Sequence, residues 1–192
     1  MSQVKERPIL FSAPMVRAIL EGRKTVTRRA VKFPFIDRAV GCELSGNEIG
    51  LEEIRNNCPY GVPGQRLWVR ETFACGLCTD QPYAYRATHA PEDLEAGWHD
   101  PIKWKPSIHM PRAACRILLE ITDVRVERLQ DITEDQAKAE GVCTSAVESF
   151  QAAEVDRPAG FAFRDLWTSI NGAEGWTANP WVWVVSFRRV TP

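Results

Sequence analysis

Gly22-Arg23-Lys24-Thr25-Val26-Thr27-Arg28-Arg29 is the stretch on which the reading of this chain turns. Two hydroxyls and one lysine lie among three arginines. Just before it, the spacing predicts a short helix over residues 13–21. Ser12 suits an N-cap, Pro14 a first turn, and Gly22 a position just past a helix end. Met15, Val16, Ile19 and Leu20 make the apolar face of that helix. A lysine acts as a general base only when neutral, and burial or nearby cations lower its pKa. Arg23, Arg28 and Arg29 can supply the cations, and Thr27 is then a candidate nucleophile activated by Lys24. Geometry sets a condition. Residues three apart in an ideal strand face opposite ways, so Lys24 and Thr27 share a side only where the segment turns or bulges. From residue types alone, the simpler description is a basic edge strand with ordinary threonines.

Working outward, residues 33–64 are rich in Pro and Gly and read as a long loop, with one short acidic helix near 51–56. Residues 66–73 alternate as a strand, with Leu67, Val69, Glu71 and Phe73 on one face and Trp68, Arg70 and Thr72 on the other. Residues 81–86 fit a neighbouring strand, 87–111 an irregular stretch, and 115–127 a long β-type run. Thr133-Glu134-Asp135-Gln136 fits a capping box, opening a helix that runs to Glu140 and stops at Gly141. A helix over about 160–170 buries Phe161, Phe163, Leu166, Trp167 and Ile170. Residues 181–190 form a strand apolar on both faces, hence central in a sheet. Strands outnumber helices, and the helices intervene irregularly. The fold class expected is α+β on a mixed or barrel-like sheet.

The chain has 192 residues, 44 % hydrophobic and 26 % charged. That is the length of one domain and the mix of a globular protein, and it excludes a disordered chain, a collagen or a coiled coil. No apolar run approaches the roughly 20 residues of a membrane helix, and no signal-type stretch opens the chain. A cytoplasmic location, no membrane partner and cysteines held as thiols are expected. Net charge is −1, but residues 5–38 carry nine Lys/Arg against three Asp/Glu, and arginines outnumber lysines 18 to 6. Such a stretch fits either a solvated surface or a site for phosphate or nucleic acid. Cys75-Gly76-Leu77-Cys78 is a C-x-x-C, but no second pair completes a zinc ribbon, so zinc at Cys75 and Cys78 is a minor reading and no metal is expected. His89, His99 and His109 belong to no catalytic motif. The run Pro106-Ser107-Ile108-His109-Met110-Pro111-Arg112 can line a pocket, and Trp68, Trp98 and Trp104 can stack a base.

Four segments, in order along the chain, resemble the ASCH domain, a PUA-like β-barrel family. They are Gly22–Arg29 after its short helix, Pro63-Gly64-Gln65-Arg66-Leu67-Trp68-Val69, the capped stretch Leu129–Gly141, and the terminal strand ending in Val185-Ser186-Phe187. In the second, Gln65 stands where the family has Asp. The resemblance implies one PUA-like domain over residues 1–192, built on a mixed β-barrel flanked by short helices, with insertions at 33–62 and 74–112. Cys58-Pro59-Tyr60-Gly61, the Ser107–Arg112 run and Asn179-Pro180-Trp181-Val182-Trp183 resemble a phage and prophage branch. The family includes N4-acetylcytidine amidohydrolases, whose Lys, Thr and Glu triad falls on Lys24, Thr27 and Glu140. The implied reaction removes an acyl group from the exocyclic amine of N4-acetylcytidine or a related modified nucleoside, with no cofactor. Thr27 attacks, Lys24 moves the proton, and Glu140 orients Lys24 or water, although its carboxylate also favours charged Lys24. Arg23, Arg28, Arg29, Trp68, Arg70, Ser107, His109 and Arg112 are the expected substrate-binding residues. The family also contains RNA-binding members, so an RNA or modified-base binder and a metal-independent ribonuclease are the alternatives.

Overall fold

A computed structural model of the chain describes residues 4–32, 35–36, 41, 43–44, 50–75, 82–90 and 101–191. In chain order the elements are β1 (Glu6–Leu10), α1 (Ala13–Leu20), β2 (Val26–Ala30), β3 (Phe35–Ile36), β4 (Glu43–Leu44), α2 (Leu51–Asn56), β5 (Arg66–Arg70), β6 (Phe73–Cys75) and β7 (Tyr83–Tyr85). After two single 3-10 turns come β8 (Leu118–Arg128), α3 (Glu134–Ala139), α4 (Thr144–Ala152), α5 (Pro158–Asn171), α6 (Ala173–Thr177) and β9 (Trp181–Val190). The architecture is mixed α and β. Among the described residues no helix is long and apolar enough to cross a membrane.

Five strands form one sheet in the order β1-β5-β8-β9-β2. β1 runs parallel to β5, and the other neighbours are antiparallel. The barrel expectation is corrected here: the described strands leave the sheet open, with β1 and β2 as its two edges and no ladder joining them. What spans the gap is a side chain, the Arg29 guanidinium donating to the Leu10 carbonyl at 2.7 Å. A chain with edge strands at opposite ends of its sheet order closes only if both edges find ladder partners, and local sequence patterns carry no signal for that.

β9 explains its own composition. Trp183, Val185 and Phe187 pack into a core with Ile9, Leu67, Val69, Leu119 and Ile121 of the sheet and Val16 and Ile19 of α1. Val182 and Val184 face the other way, into a core with Ala137 of α3 and Ala159, Ala162, Phe163 and Trp167 of α5. The strand is therefore apolar on both faces because helices cover both, and each such side chain contributes on the order of 2 kcal/mol of burial. The sequence reading missed β1 and α4. It also placed Ile170 in the core, whereas Ile170 is 64 % exposed at the end of α5.

The two helix signals hold at the level of atoms. At α3 the Thr133 hydroxyl accepts from Gln136 N and the Gln136 side chain accepts from Thr133 N, a complete capping box. At the end of α1, Gly22 has φ +76°, the left-handed conformation that lets the chain turn into the basic stretch.

Candidate active site

The helix α3 ends on Glu140, and Gly141 turns the chain at φ +76°. Gly141 also has to be small: a methyl group there would lie 2.8 Å from Cβ of both Ala18 and Lys24. This close approach sets the backbone of Lys24 against Glu140, and the two form an isolated antiparallel bridge. Thr25 N donates to the Ala139 carbonyl at 2.9 Å, and Phe187 N donates to the Thr25 carbonyl at 2.9 Å. The segment is thus passed from the end of α3 to β9 between residues 24 and 26. That hand-over meets the geometric condition posed by the sequence, for Lys24 and Thr27 line one cleft although they are three apart.

The cleft holds about 230 Å³. Its polar side is Lys24, Thr27, Arg28, Arg29 and Glu140, and its apolar walls come from Phe11 and Met15 on one side and Phe163, Leu166, Trp167 and Ile170 of α5 on the other. Lys24, Thr27, Arg28 and Glu140 are all nearly inaccessible to solvent, at 3–4 % exposure. Lys24 Nζ donates to Glu140 Oε2 at 2.7 Å, to the Glu140 carbonyl at 2.8 Å and to the Val26 carbonyl at 2.8 Å. Three acceptors match the three protons of an ammonium. The other carboxylate oxygen, Oε1, accepts from Arg28 at 3.2 Å. Arg28 is itself held by Glu127 Oε2 at 3.1 Å and by Gln136 Oε1 at 2.9 Å. Among the described residues, the Thr27 side chain makes no hydrogen bond to another protein group, which leaves its hydroxyl free for a ligand.

Burial lowers the pKa of Lys24, because it strips water from the ammonium; Glu140 opposes the shift by charge and hydrogen bond, and Arg29 and Arg28 reinforce it. The net direction is downward, toward a lysine that can lose its proton.

Only part of the expected binding set gathers here. Arg28 and Arg29 line the cleft. Arg23 does not: it lies on an exposed turn, pairs with Glu21 at 2.5 Å and borders a separate hollow of about 540 Å³ with Thr25, Lys138 and Val142. Its sequence neighbour Lys24 faces inward while Arg23 faces out, which residue adjacency could not reveal. Trp68, Arg70, Ser107, His109 and Arg112 also stand apart from the cleft. Arg70 lies over the Trp68 ring at 5.4 Å and donates to the Ile108 carbonyl, and Arg112 pairs with Glu6 at 2.8 Å. These groups fasten the 107–112 segment onto β1 and β5. Cys75 is exposed, with its sulfur accepting from Lys105 at 3.0 Å, while Cys78, Trp98 and His99 lie outside the described residues. Among the described residues, no group of three or more His, Cys, Asp or Glu is placed to hold a metal ion.

Sequence reasoning missed Glu127 and Gln136 as holders of Arg28, and Phe11, Met15 and Ile170 as cleft walls. Gln136 was visible as a helix cap, but nothing local ties a cap residue to an arginine 108 positions away. A second buried carboxylate was also missed: Glu71, 1 % exposed, is gripped by Arg116 through two bonds of 2.8 and 2.9 Å. The signal was its place on the inward face between Val69 and Phe73.

No family model matches the chain, and no curated protein matches it. Among solved structures, the chain is similar to protein EF3133 from Enterococcus faecalis V583, described under family-model DUF984. That similarity has 10 % sequence identity, covers 100 % of this chain and 84 % of the other, and has a TM-score of 0.43. At that score the likeness is one of outline, and the function of the cleft is argued from its own residues.

Proposed function

We propose that the cleft hydrolyses an amide between a small acyl group and the exocyclic amine of a nucleobase, with N4-acetylcytidine or a close relative as substrate. One observation carries this reading: Lys24 and Thr27 meet Glu140, 116 positions beyond Lys24, in one small cleft, with the lysine buried against the carboxylate. A lone nucleophile needs a base in reach, and a buried lysine of lowered pKa is suited to be one.

In the proposed sequence, neutral Lys24 takes the Thr27 hydroxyl proton as Thr27 Oγ1 bonds to the acyl carbon. The C–N bond then breaks, and Lys24 returns the proton to the departing amine. This leaves an ester on Thr27. Water, deprotonated by Lys24, attacks the ester carbon; the bond to Thr27 Oγ1 breaks, Lys24 returns the proton to Oγ1, and the carboxylic acid leaves. Amide and water go in; amine and acid come out. Glu140 and Arg28 hold Lys24 in place, and the walls of Phe11, Met15 and α5 exclude bulk water and suit a flat base and a methyl group.

The volume of about 230 Å³ suits a small molecule better than a length of RNA. The arginine pattern also favours hydrolysis over polyanion binding. Arg23 pairs with Glu21, Arg28 with Glu127 and Glu140, and Arg112 with Glu6, so these charges are spent within the protein.

The test is chromatographic. Purified protein is incubated with N4-acetylcytidine, and cytidine is sought, with Lys24→Ala as the control. Cytidine from the wild type alone supports the reading. No product across a series of N4-acyl groups overturns it, and new termini on an RNA substrate would point to a ribonuclease.

A further inference from the structure

β2 is an edge strand, and its register fixes which of its main-chain groups are free. Val31 N donates to the Trp181 carbonyl, and Phe187 N donates to the Thr25 carbonyl. In the antiparallel ladder, hydrogen-bonded pairs alternate, so Thr27 with Val185 and Arg29 with Trp183 are also bonded pairs. The main-chain groups of Val26, Arg28 and Ala30 must then point away from β9. Val26 bears this out, because its carbonyl accepts from Lys24 Nζ on that outer side. Among the described residues, the N–H of Arg28 and that of Ala30 have no partner. Both residues line the cleft.

The Thr27–Arg28 peptide unit is planar and trans, so its C=O and N–H point opposite ways. Its carbonyl is bonded to β9; its N–H therefore faces the cleft, one residue beyond the proposed nucleophile. We infer that the Arg28 main-chain N–H is the group that binds the acyl oxygen of the substrate and stabilises the oxyanion formed when Thr27 attacks. This rests on the amide-hydrolysis reading above and adds to it the electrostatic partner which that chemistry requires. A main-chain N–H next to the nucleophile serves the same purpose in the nucleophile elbow of α/β-hydrolases. Here no strained turn is needed, because an unpaired strand edge presents the donor. The ladder bond on the Thr27 carbonyl also polarises the peptide and strengthens the N–H as a donor.

The inference is tested by amide NMR on the full chain. In the free protein, the Arg28 and Ala30 amides should exchange with solvent at least about tenfold faster than those of Thr27, Arg29 and Val31, whose N–H groups lie in the ladder. The reverse order overturns the geometry without any ligand. Next, Thr27→Ala protein is titrated with N4-acetylcytidine and with N4-ethylcytidine, which has a methylene in place of the carbonyl. The acetyl compound should move the Arg28 amide proton downfield, and the ethyl compound should not. Movement of other cleft amides without that of Arg28 overturns the inference while keeping the substrate. If neither nucleoside perturbs the cleft, the substrate reading fails, and acetate becomes the probe. An Arg28 shift with acetate then keeps the inference, and its absence overturns it.

Discussion

Among the described residues two glutamates are buried, and their settings differ. Glu71 is gripped by the fork of Arg116, which lies 4.0 Å from the Tyr85 ring and also bonds Thr88. Both carboxylate oxygens are satisfied by one residue, and Glu71 does not line the cleft that holds Lys24 and Glu140. Glu140 divides its oxygens between Lys24 and Arg28, and all three line open space together with a free threonine hydroxyl. A buried charge therefore does not mark a site. The marks are a divided hydrogen-bond shell and a reactive group that shares the same void. Arg116–Glu71 has the geometry of a strut, whereas Lys24–Glu140 faces a cleft that a ligand can enter.

The sharpest way to break this contrast is at the nucleophile. Thr27→Ala and Lys24→Ala should each lower turnover of N4-acetylcytidine by about a thousandfold or more, measured as kcat/KM. If either keeps more than a tenth of the rate, the triad is not the machinery. Glu71→Ala should act on the other axis. It strands Arg116, which is 27 % exposed, and should cost about 3 kcal/mol in denaturant unfolding while kcat of the folded fraction stays within a factor of two. A kcat loss at Glu71 without loss of stability would erase the distinction.

A pH profile sharpens it further. In the proposed reaction neutral Lys24 is the active form, so kcat/KM should rise with pH and level off below the usual lysine value, because burial lowers its pKa. Glu140 is the main influence raising that pKa, so Glu140→Gln should shift the rising limb to lower pH even as the plateau falls. A shift to higher pH would contradict the assignment. For stability the sign is the same: the folded chain holds the Lys24 proton more weakly than the unfolded one, so this group's contribution improves as pH rises from the lowered pKa to 10.5. The smallest effect is expected at Gln136→Ala. It removes half of the capping box and one tether of Arg28, at about 1 kcal/mol in thermal or denaturant unfolding and a few-fold in kcat.

How much of this was legible beforehand varies with the range of the interaction. The helix before Gly22, the capping box at Thr133, the acidic helix near 51 and the twice-covered strand at 181–190 all declare themselves through neighbours in sequence. The resemblance brought Lys24, Thr27 and Glu140 together on paper, since a carboxylate at a helix end says nothing by itself. What sequence could not supply was orientation across long loops. Arg23 and Lys24 are adjacent, yet the turn at Gly22 sends one outward and the other in. Ile170 has the spacing of a core residue, but it lies near the end of α5, exposed and bordering the cleft. The open sheet was illegible for a related reason: whether β1 meets β2 depends on residues far apart, and an arginine side chain occupies the place of a ladder.

The unpaired edge of β2 has one more consequence, for solubility. An exposed row of main-chain N–H and C=O groups is a template on which the strand of another molecule can pair. In this fold the edge lies at the bottom of a walled cleft, between the aromatic ring of Phe11 and the side chains of α5, with Lys24, Arg28 and Arg29 set along it. A second strand would have to enter between these walls to reach it. The walls of the proposed site thus also guard against self-association, and thinning them at Leu166 or Ile170 should show first as aggregation on warming.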